Sequence, residues 1–269
     1  MPGATRSVLF LRPPLANPGA MRDRGRVKTR IATLGFALAV LAAAAAVASG
    51  LGSRVELWTF RTGFQILRWA AWGGLAAAVV SLAGLVAALA GPRPRGRALV
   101  LGAIGLVLGA ITVWIPWTWK QRAESVPPIH DITTDIEDPP LFEAILPLRA
   151  DAPNPSEYGG DSIAAQQREG YPDMGPLMVD APPEATFLRA LEAARDMGWE
   201  IVESDPERGR IEATDTTPWF GFEDDVVVRV RPEGAGSRVD VRSVSRVGRS
   251  DVGTNARRIE DYLEKLTAD

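Results

Sequence analysis

Three groups of residues in this chain carry side chains suited to chemistry. The first surrounds its single histidine, in Pro127-Pro128-Ile129-His130-Asp131-Ile132-Thr133-Thr134-Asp135. A histidine oriented by Asp131 or Asp135 can serve as a general base or join a metal site. There is no second His, the acids lack the D-x-D-x-D-G spacing of a calcium loop, and the chain has no Cys. No metal or cofactor is therefore expected, and a hydrogen-bonded structural His130 is the favoured reading. The second group is cationic: Arg210, Arg229, Arg231, Arg238 and Arg242, interrupted by Glu212 and Asp240, running on through Ser243, Ser245, Arg246, Arg249, Asp251, Asn255 and Arg258. Guanidinium groups can hold an anionic ligand such as a phosphate or sugar acid bidentately. Equally, they can seat the acids of 131–138, a reading favoured because desolvated cations need partners. The third group is Trp219, Phe220 and Phe222 around Gly221. These aromatics suit a ligand pocket, a loop dipping into headgroups, or, as favoured here, a lid over a sheet end.

The elements that must position these groups differ sharply between the two halves of the chain. Through Lys120 the net charge is +12, and from Gln121 onward it is −15. No single compact soluble domain fits that division, and the acidic half gives no reason to expect a nucleic-acid partner. Residues 31–53, 69–92 and 98–119 contain no ionisable side chain. A 22-residue helix spans about 33 Å, against a hydrocarbon core of about 30 Å, so three transmembrane helices are expected. In lipid their peptide groups must be paired internally, despite the many glycines.

Orientation follows from the cations. Arg6, Arg12, Arg22, Arg24, Arg26, Lys28, Arg30, Arg93, Arg95 and Arg97 lie on one side; Arg54, Arg61, Arg68, Lys120 and Arg122 lie on the other. The bias places the N-terminus in the cytoplasm and the acidic domain outside, in the bacterial inner membrane. Trp58, Trp69, Trp72, Trp114, Trp117 and Trp119 then cluster at the outer face, where indole rings favour the headgroup layer. Ala46-Val47-Ala48 also resembles a signal-peptidase site, and translation could start at Met21 rather than Met1. Either event leaves the C-terminal domain outside. Ala98, Gly102, Gly105 and Gly109 form a small-residue stripe suited to helix contact or to oligomerisation through Gly105 and Gly109, although general Gly/Ala richness also explains it. The spans hold no ionisable group, so ion-coupled transport lacks its usual machinery.

The domain plan is a basic segment 1–30, an anchor 31–120, an acidic Pro-rich linker 121–180 and an α+β domain 181–269. The nine prolines of 127–180 favour irregular chain draped on the domain. A helix is expected over 183–197, stopped by Gly198, followed by strands at 199–203, 210–215, 225–231 and 238–247. Val252, Ala256, Ile259, Leu263 and Leu266 mark a last helix with Ser250 at its N-cap. The fold expected is a four-stranded antiparallel meander with two helices on one face. Period-2 alternation sends Ile211, Ala213, Val226, Val228, Val230, Val239 and Val241 toward those helices and the arginines to the opposite face. Ser243 and Ser245 would then fall on the apolar side, which requires a bulge or a buried polar network.

Residues 127–135, Tyr171-Pro172-Asp173, 219–225, and Val239-Asp240-Val241-Arg242-Ser243-Val244-Ser245-Arg246-Val247-Gly248-Arg249-Ser250-Asp251 with Asn255 and Arg258 resemble the bacterial domain of unknown function numbered 1499, over about 127–266. The resemblance implies a membrane-attached envelope protein and brings no catalytic residue or cofactor. Two functions are expected from these features. One is a binding or scaffold module, engaging an envelope protein, anionic lipid or glycan through Arg242, Ser243, Ser245, Arg246, Arg249, Asp251, Asn255, Arg258, Trp219 and Phe220. The other is a hydrolase or transferase using His130, Asp131 and Asp135 with an arginine clamp.

Overall fold

A computed structural model describes residues 18–90 and 96–268, with side chains from 26 to 90 and from 96 to 267. Met1, Arg6, Arg12, Arg93 and Arg95 lie outside the described residues, as do the side chains of Met21, Arg22 and Arg24. Three long helices come first: α1 (Pro18–Arg54), α2 (Phe60–Leu89) and α3 (Gly96–Ser125). Arg26–Arg54 of α1, all of α2 and all of α3 are each long and apolar enough to cross a membrane. The chain divides into two compact units, Met1–Ala45 with Trp69–Val113, and Ala46–Arg68 with Trp114–Asp269.

In the first unit small residues let the helices meet backbone to backbone. Ala98, Gly102, Gly105 and Gly109 are the buried stripe of α3. A Cβ on Gly105 would lie 2.9 Å from the Phe36 Cα, and one on Gly109 would lie 2.7 Å from the Gly74 carbonyl oxygen. Gly84 is equally tight, 2.8 Å from the Ala32 Cα. The stripe is thus occupied by α1 and α2 of the same chain, a close approach that no larger residue permits.

The second unit holds an antiparallel sheet. Strands β1 (Asp131–Thr133), β2 (Leu177–Val179), β3 (Glu200–Asp205), β4 (Arg210–Thr216), β5 (Glu223–Glu233) and β6 (Gly236–Ser245) join with helices α4 (Gly160–Gly170), α5 (Pro183–Asp196) and α6 (Thr254–Ala268). The order is β1-β6-β5-β4-β3, with β2 also on β6. The meander β3 to β6 is as expected, but the sheet has six strands rather than four. The two additions come from the Pro-rich segment. They pair with successive halves of one β6 edge, Asp131–Thr133 against 242–244 and Leu177–Val179 against 237–239. Each is three residues long, too short to show an alternation, while their pairing covers an edge that would otherwise be open. The same segment also contains α4 and a 3-10 turn at Leu146–Arg149, so it is built structure where irregular chain was expected.

One sheet face, α5 and α6 share the core. Ile211, Ala213, Val226, Val228, Val230, Val239 and Val241 are buried there with Phe187, Ala190, Ile259 and Leu266. Trp199 stacks on Tyr262 at 4.9 Å, and the Tyr262 hydroxyl donates to the Ala190 carbonyl at 2.8 Å. Gly198, at φ +79°, turns the chain out of α5. The start of α6 differs from expectation. The helix begins at Thr254, and the Asp251 carboxylate receives the amides of Gly253 and Asn255 at 2.8 and 2.7 Å. Ser250 instead accepts from the Val252 amide, shaping a turn in which Val252 has φ +56°.

Gly105→Leu should lower the thermal unfolding midpoint of the intact chain in detergent, by an amount equivalent to about 1–3 kcal/mol or more of overpacking. Gly96→Leu is the control, since a Cβ there meets nothing within 4 Å. Equal midpoints for both variants would contradict the packing described.

Candidate functional site

The sheet face turned away from α5 and α6 carries the arginine cluster, and the segment after β1 closes over it. Arg242 is fully buried. Its Nε and one terminal nitrogen donate to the two Asp131 carboxylate oxygens at 2.9 and 2.8 Å. Two further hydrogens reach the carbonyls of Pro140 and Ser156. The rings of Phe142 and Tyr158 lie 5.1 and 5.5 Å from the guanidinium carbon. Each charge thus has a fork-shaped partner, the condition under which ions tolerate burial. Burial pushes the Tyr158 hydroxyl up to about 12.

The neighbouring cations follow the same rule. Asp240, fully buried, receives Arg229, Arg231 and Arg238 at 3.2, 2.9 and 2.9 Å. From the covering segment Asp135 adds a 2.7 Å contact to Arg238, and Asp138 meets Arg229 and Arg231 at 3.1 and 3.0 Å. Farther along the face, buried Glu212 accepts the amides of Glu143 and Ile145. Ile145 and Phe142 pack on Val227 and Val244. Arg208 and Arg210 hold the Glu143 carboxyl down to about 2. Arg149, whose pKa is lowered by burial, pairs with Asp225 at 3.0 Å, and Arg246 shares Asp225 with Thr214 while also meeting Glu223.

On the other face, the serines that broke the alternation belong to a polar network, and the β5–β6 register runs on without a bulge. Ser243 bonds Asn255 Oδ1 at 2.8 Å, and Asn255 Nδ2 donates to Ser245 Oγ and to the His130 carbonyl. Arg258 donates to Asn255 and Ser243 and pairs with Asp224 and Asp215 at 2.6 and 2.7 Å. Burial raises the nearby Asp251 carboxyl, opposed by the two amides it accepts.

The candidate residues therefore fall into distinct places. Asp131 and Asp135 face guanidinium groups, while His130 Nδ1 is 3.4 Å from the Arg249 carbonyl oxygen. Ser243, Ser245, Asn255 and Arg258 are buried and joined in one network, Arg242 is buried on the opposite face against Asp131, and the Arg249 side chain is exposed. Among the described residues no group of three His, Cys, Asp or Glu side chains is placed to hold a metal ion.

Trp219 and Phe220 lie apart, in the loop before β5. Phe220 and Phe222 stack at 5.5 Å and 6°, and Phe64 and Phe60 of α2 pack on them at 4.9 and 5.7 Å. The Trp219 indole donates to the Val47 carbonyl at 3.2 Å, and Arg54 donates to the Pro218 carbonyl at 2.5 Å. Gly63 has no room for a Cβ, which would lie 2.5 Å from the Ser49 carbonyl oxygen and 2.9 Å from the Phe220 ring. The loop is clasped by the end of α1 and the beginning of α2.

Sequence patterns missed Asn154, Gln167 and Arg149. Asn154 Nδ2 donates to the carbonyls of Ser245 and Gly248, and Gln167 closes two hydrogen bonds on the Thr133 backbone. None sits in a periodic run, so no local signal marks them.

A family model described as a protein of unknown function, DUF1499, matches residues 131–266, half of the chain. The chain belongs to this family. No curated protein matches it. The DUF1499 match opens on Asp131, the partner of Arg242, and closes on Leu266 in the core, so it takes in both the covering segment and the arginine strand.

Arg242→Met or Asp131→Leu alone should destabilise this domain by about 3–5 kcal/mol, because each strands one buried charge; the double variant should regain most of the loss. Urea unfolding of the intact chain in detergent, followed by near-ultraviolet dichroism, reads this, and a double variant as unstable as the sum of the singles contradicts it. Glu143→Gln should also lower stability at neutral pH. Because the folded-state pKa of Glu143 is depressed, its contribution is present above the ordinary carboxylate value and fades as pH falls toward about 2. The gap between variant and parent should therefore close over that acid range, and a gap that is constant with pH would refute the assignment.

Proposed function

We propose that this chain is a non-catalytic inner-membrane module that holds its DUF1499 domain on the extracytoplasmic side, close to the bilayer surface, and offers one edge of that domain to an envelope partner. The observation that carries this reading is the clasp of Trp219, Phe220 and Phe222 by residues 47–64. It fastens the β5 entry to the end of α1 and the start of α2, where Trp58 also stands. The same sheet end carries His130, Arg246 and Arg249. An edge held near the headgroup layer and displaying Arg249 suits an acidic partner: an envelope protein, an anionic lipid or a glycan. The excess of Lys and Arg on 1–30 and 93–97 supports a cytoplasmic N-terminus.

Support for the binding reading over hydrolysis lies in where the carboxylates go. A base oriented by Asp131 or Asp135 needs their oxygens, and both acids are engaged by arginines instead. The buried cations likewise have internal counter-charges, so a ligand would meet Arg249 before Arg242. Self-association through Gly105 and Gly109 would have to displace the chain's own helices.

The chain has no native cysteine, so single cysteines report location cleanly. Arg249→Cys in intact cells should react with a membrane-impermeant maleimide; protection from the reagent until cells are lysed would overturn the topology. With Arg249 retained and a photocross-linker carried on Val247→Cys, a partner at the bilayer surface should cross-link; adding Arg249→Glu should weaken that species about tenfold, roughly 1.4 kcal/mol, while adding His130→Gln leaves it intact. Equal loss with either variant would favour chemistry over binding.

A further inference from the structure

The N-terminal ends of α1 and α3 carry a feature that the domain's binding edge does not use. They border an open groove of about 710 Å³. At its mouth stand Arg26 and Arg30, one turn apart on α1, and Arg97 from the first turn of α3. Thr29 and Thr33 add hydroxyl groups, and Leu34 and Ala37 continue the lining one to two turns further along α1. All three arginines are exposed, and among the described residues no carboxylate lies within ion-pair distance of them. That sets them apart from the arginines of the domain, where Arg210, Arg229, Arg231, Arg238, Arg242, Arg246 and Arg258 each meet at least one acid.

The order of side chains along the groove identifies what it fits. Arg26 to Ala37 covers about 16 Å of helix. Within that distance the lining changes from Arg26, Thr29 and Arg30, joined by Arg97 of α3, through the Thr33 hydroxyl to the aliphatic carbon of Leu34 and Ala37, and the uncharged run begins at Ile31, directly after Arg30. A free phosphate would use only the upper part. A glycerophospholipid has the same sequence of chemistry as the wall: an anionic phosphate, ester oxygens, then acyl chain. Basic grooves between membrane helices are suited to such headgroups, and the low-dielectric slab below strengthens each contact.

We infer that the groove of Arg26, Arg30 and Arg97 is a binding site for one anionic phospholipid of the leaflet in which the N-terminal ends of α1 and α3 lie. The phosphate sits among the three guanidinium groups, the ester region passes Thr33, whose hydroxyl donates to the Thr29 carbonyl at 2.8 Å, and one acyl chain runs along Leu34 and Ala37. This site is independent of the partner-binding edge of the domain, and either can fail without the other.

Native mass spectrometry of the intact chain released from detergent tests the inference, with phosphatidylglycerol and phosphatidylcholine of identical acyl chains as the probes. The parent should retain one phosphatidylglycerol at least about tenfold more tightly than phosphatidylcholine. Arg26→Gln/Arg30→Gln/Arg97→Gln should abolish that preference, while Arg61→Gln/Arg68→Gln/Arg122→Gln, which removes the same charge elsewhere, should keep it. Arg26→Lys/Arg30→Lys/Arg97→Lys should retain most of it, separating loss of charge from loss of fold. Equal retention of the two lipids by the parent, an unchanged preference in the glutamine triple variant, or loss in the lysine variant would each overturn the site. So would displacement of the lipid by millimolar glycerol 3-phosphate, which would mean that the groove takes a free phosphate.

Discussion

A guanidinium cannot be taken out of water without a carboxylate to meet it, and this requirement organises the domain around Arg242. Fully enclosed, it is matched by the fork of Asp131 and boxed by two aromatic rings. The pairing dictates that residues 131–158 lie on the sheet rather than trail from it. Once they do, Asp135 and Asp138 arrive beside Arg229, Arg231 and Arg238, and Phe142 and Ile145 cover Val227 and Val244. A sheet that would be amphipathic in isolation thereby becomes buried on both faces, one through apolar contact with helices and the other through paired charge.

This division also explains which parts of the fold could be read from sequence. The four long strands, α5 and α6 advertise themselves because one side of each is uniformly apolar over several periods. Val226, Val228 and Val230 are an instance, and all three are in the core. Strands β1 and β2 give no such sign. Asp131-Ile132-Thr133 exists because β6 presents an open edge and Arg242 a waiting cation, both supplied by residues more than a hundred positions away. The break in alternation at Ser243 and Ser245 did announce a buried polar network, yet its members Asp215 and Asp224 came from other strands and had no sequence signal of their own. Ser250 illustrates a smaller error: a good capping residue stood one position before an acid that could receive two amides, and the acid capped the helix.

The membrane half obeys a different physics. Between lipid-facing helices there is little hydrophobic driving force, so association depends on how closely backbones can approach. Gly35, Gly84, Gly105 and Gly109 are points of close approach, and a side chain at any of them would strike backbone. At the end of α1 and the start of α2 the rule changes again, and aromatic rings from before β5 fill the space between helix ends. The candidate functional edge of the domain grows from that attachment, which is why its exposed cation, Arg249, belongs to the same sheet end as Phe222.

The account rests on residues 131–145 being an integral layer of the domain, locked there by charge pairing. Hydrogen exchange of the intact chain in detergent, resolved by peptide, tests this most directly. The amides of Ile132, Thr133, Thr134 and Ile145, which bond β6 strand groups, Gln167 or Glu212, should exchange together with the central amides of β5 and β6, through global opening of the domain. Exchange of that segment within seconds, while β5 and β6 remain protected, would mean that the covering layer is loose chain and that Arg242 is free to meet a ligand.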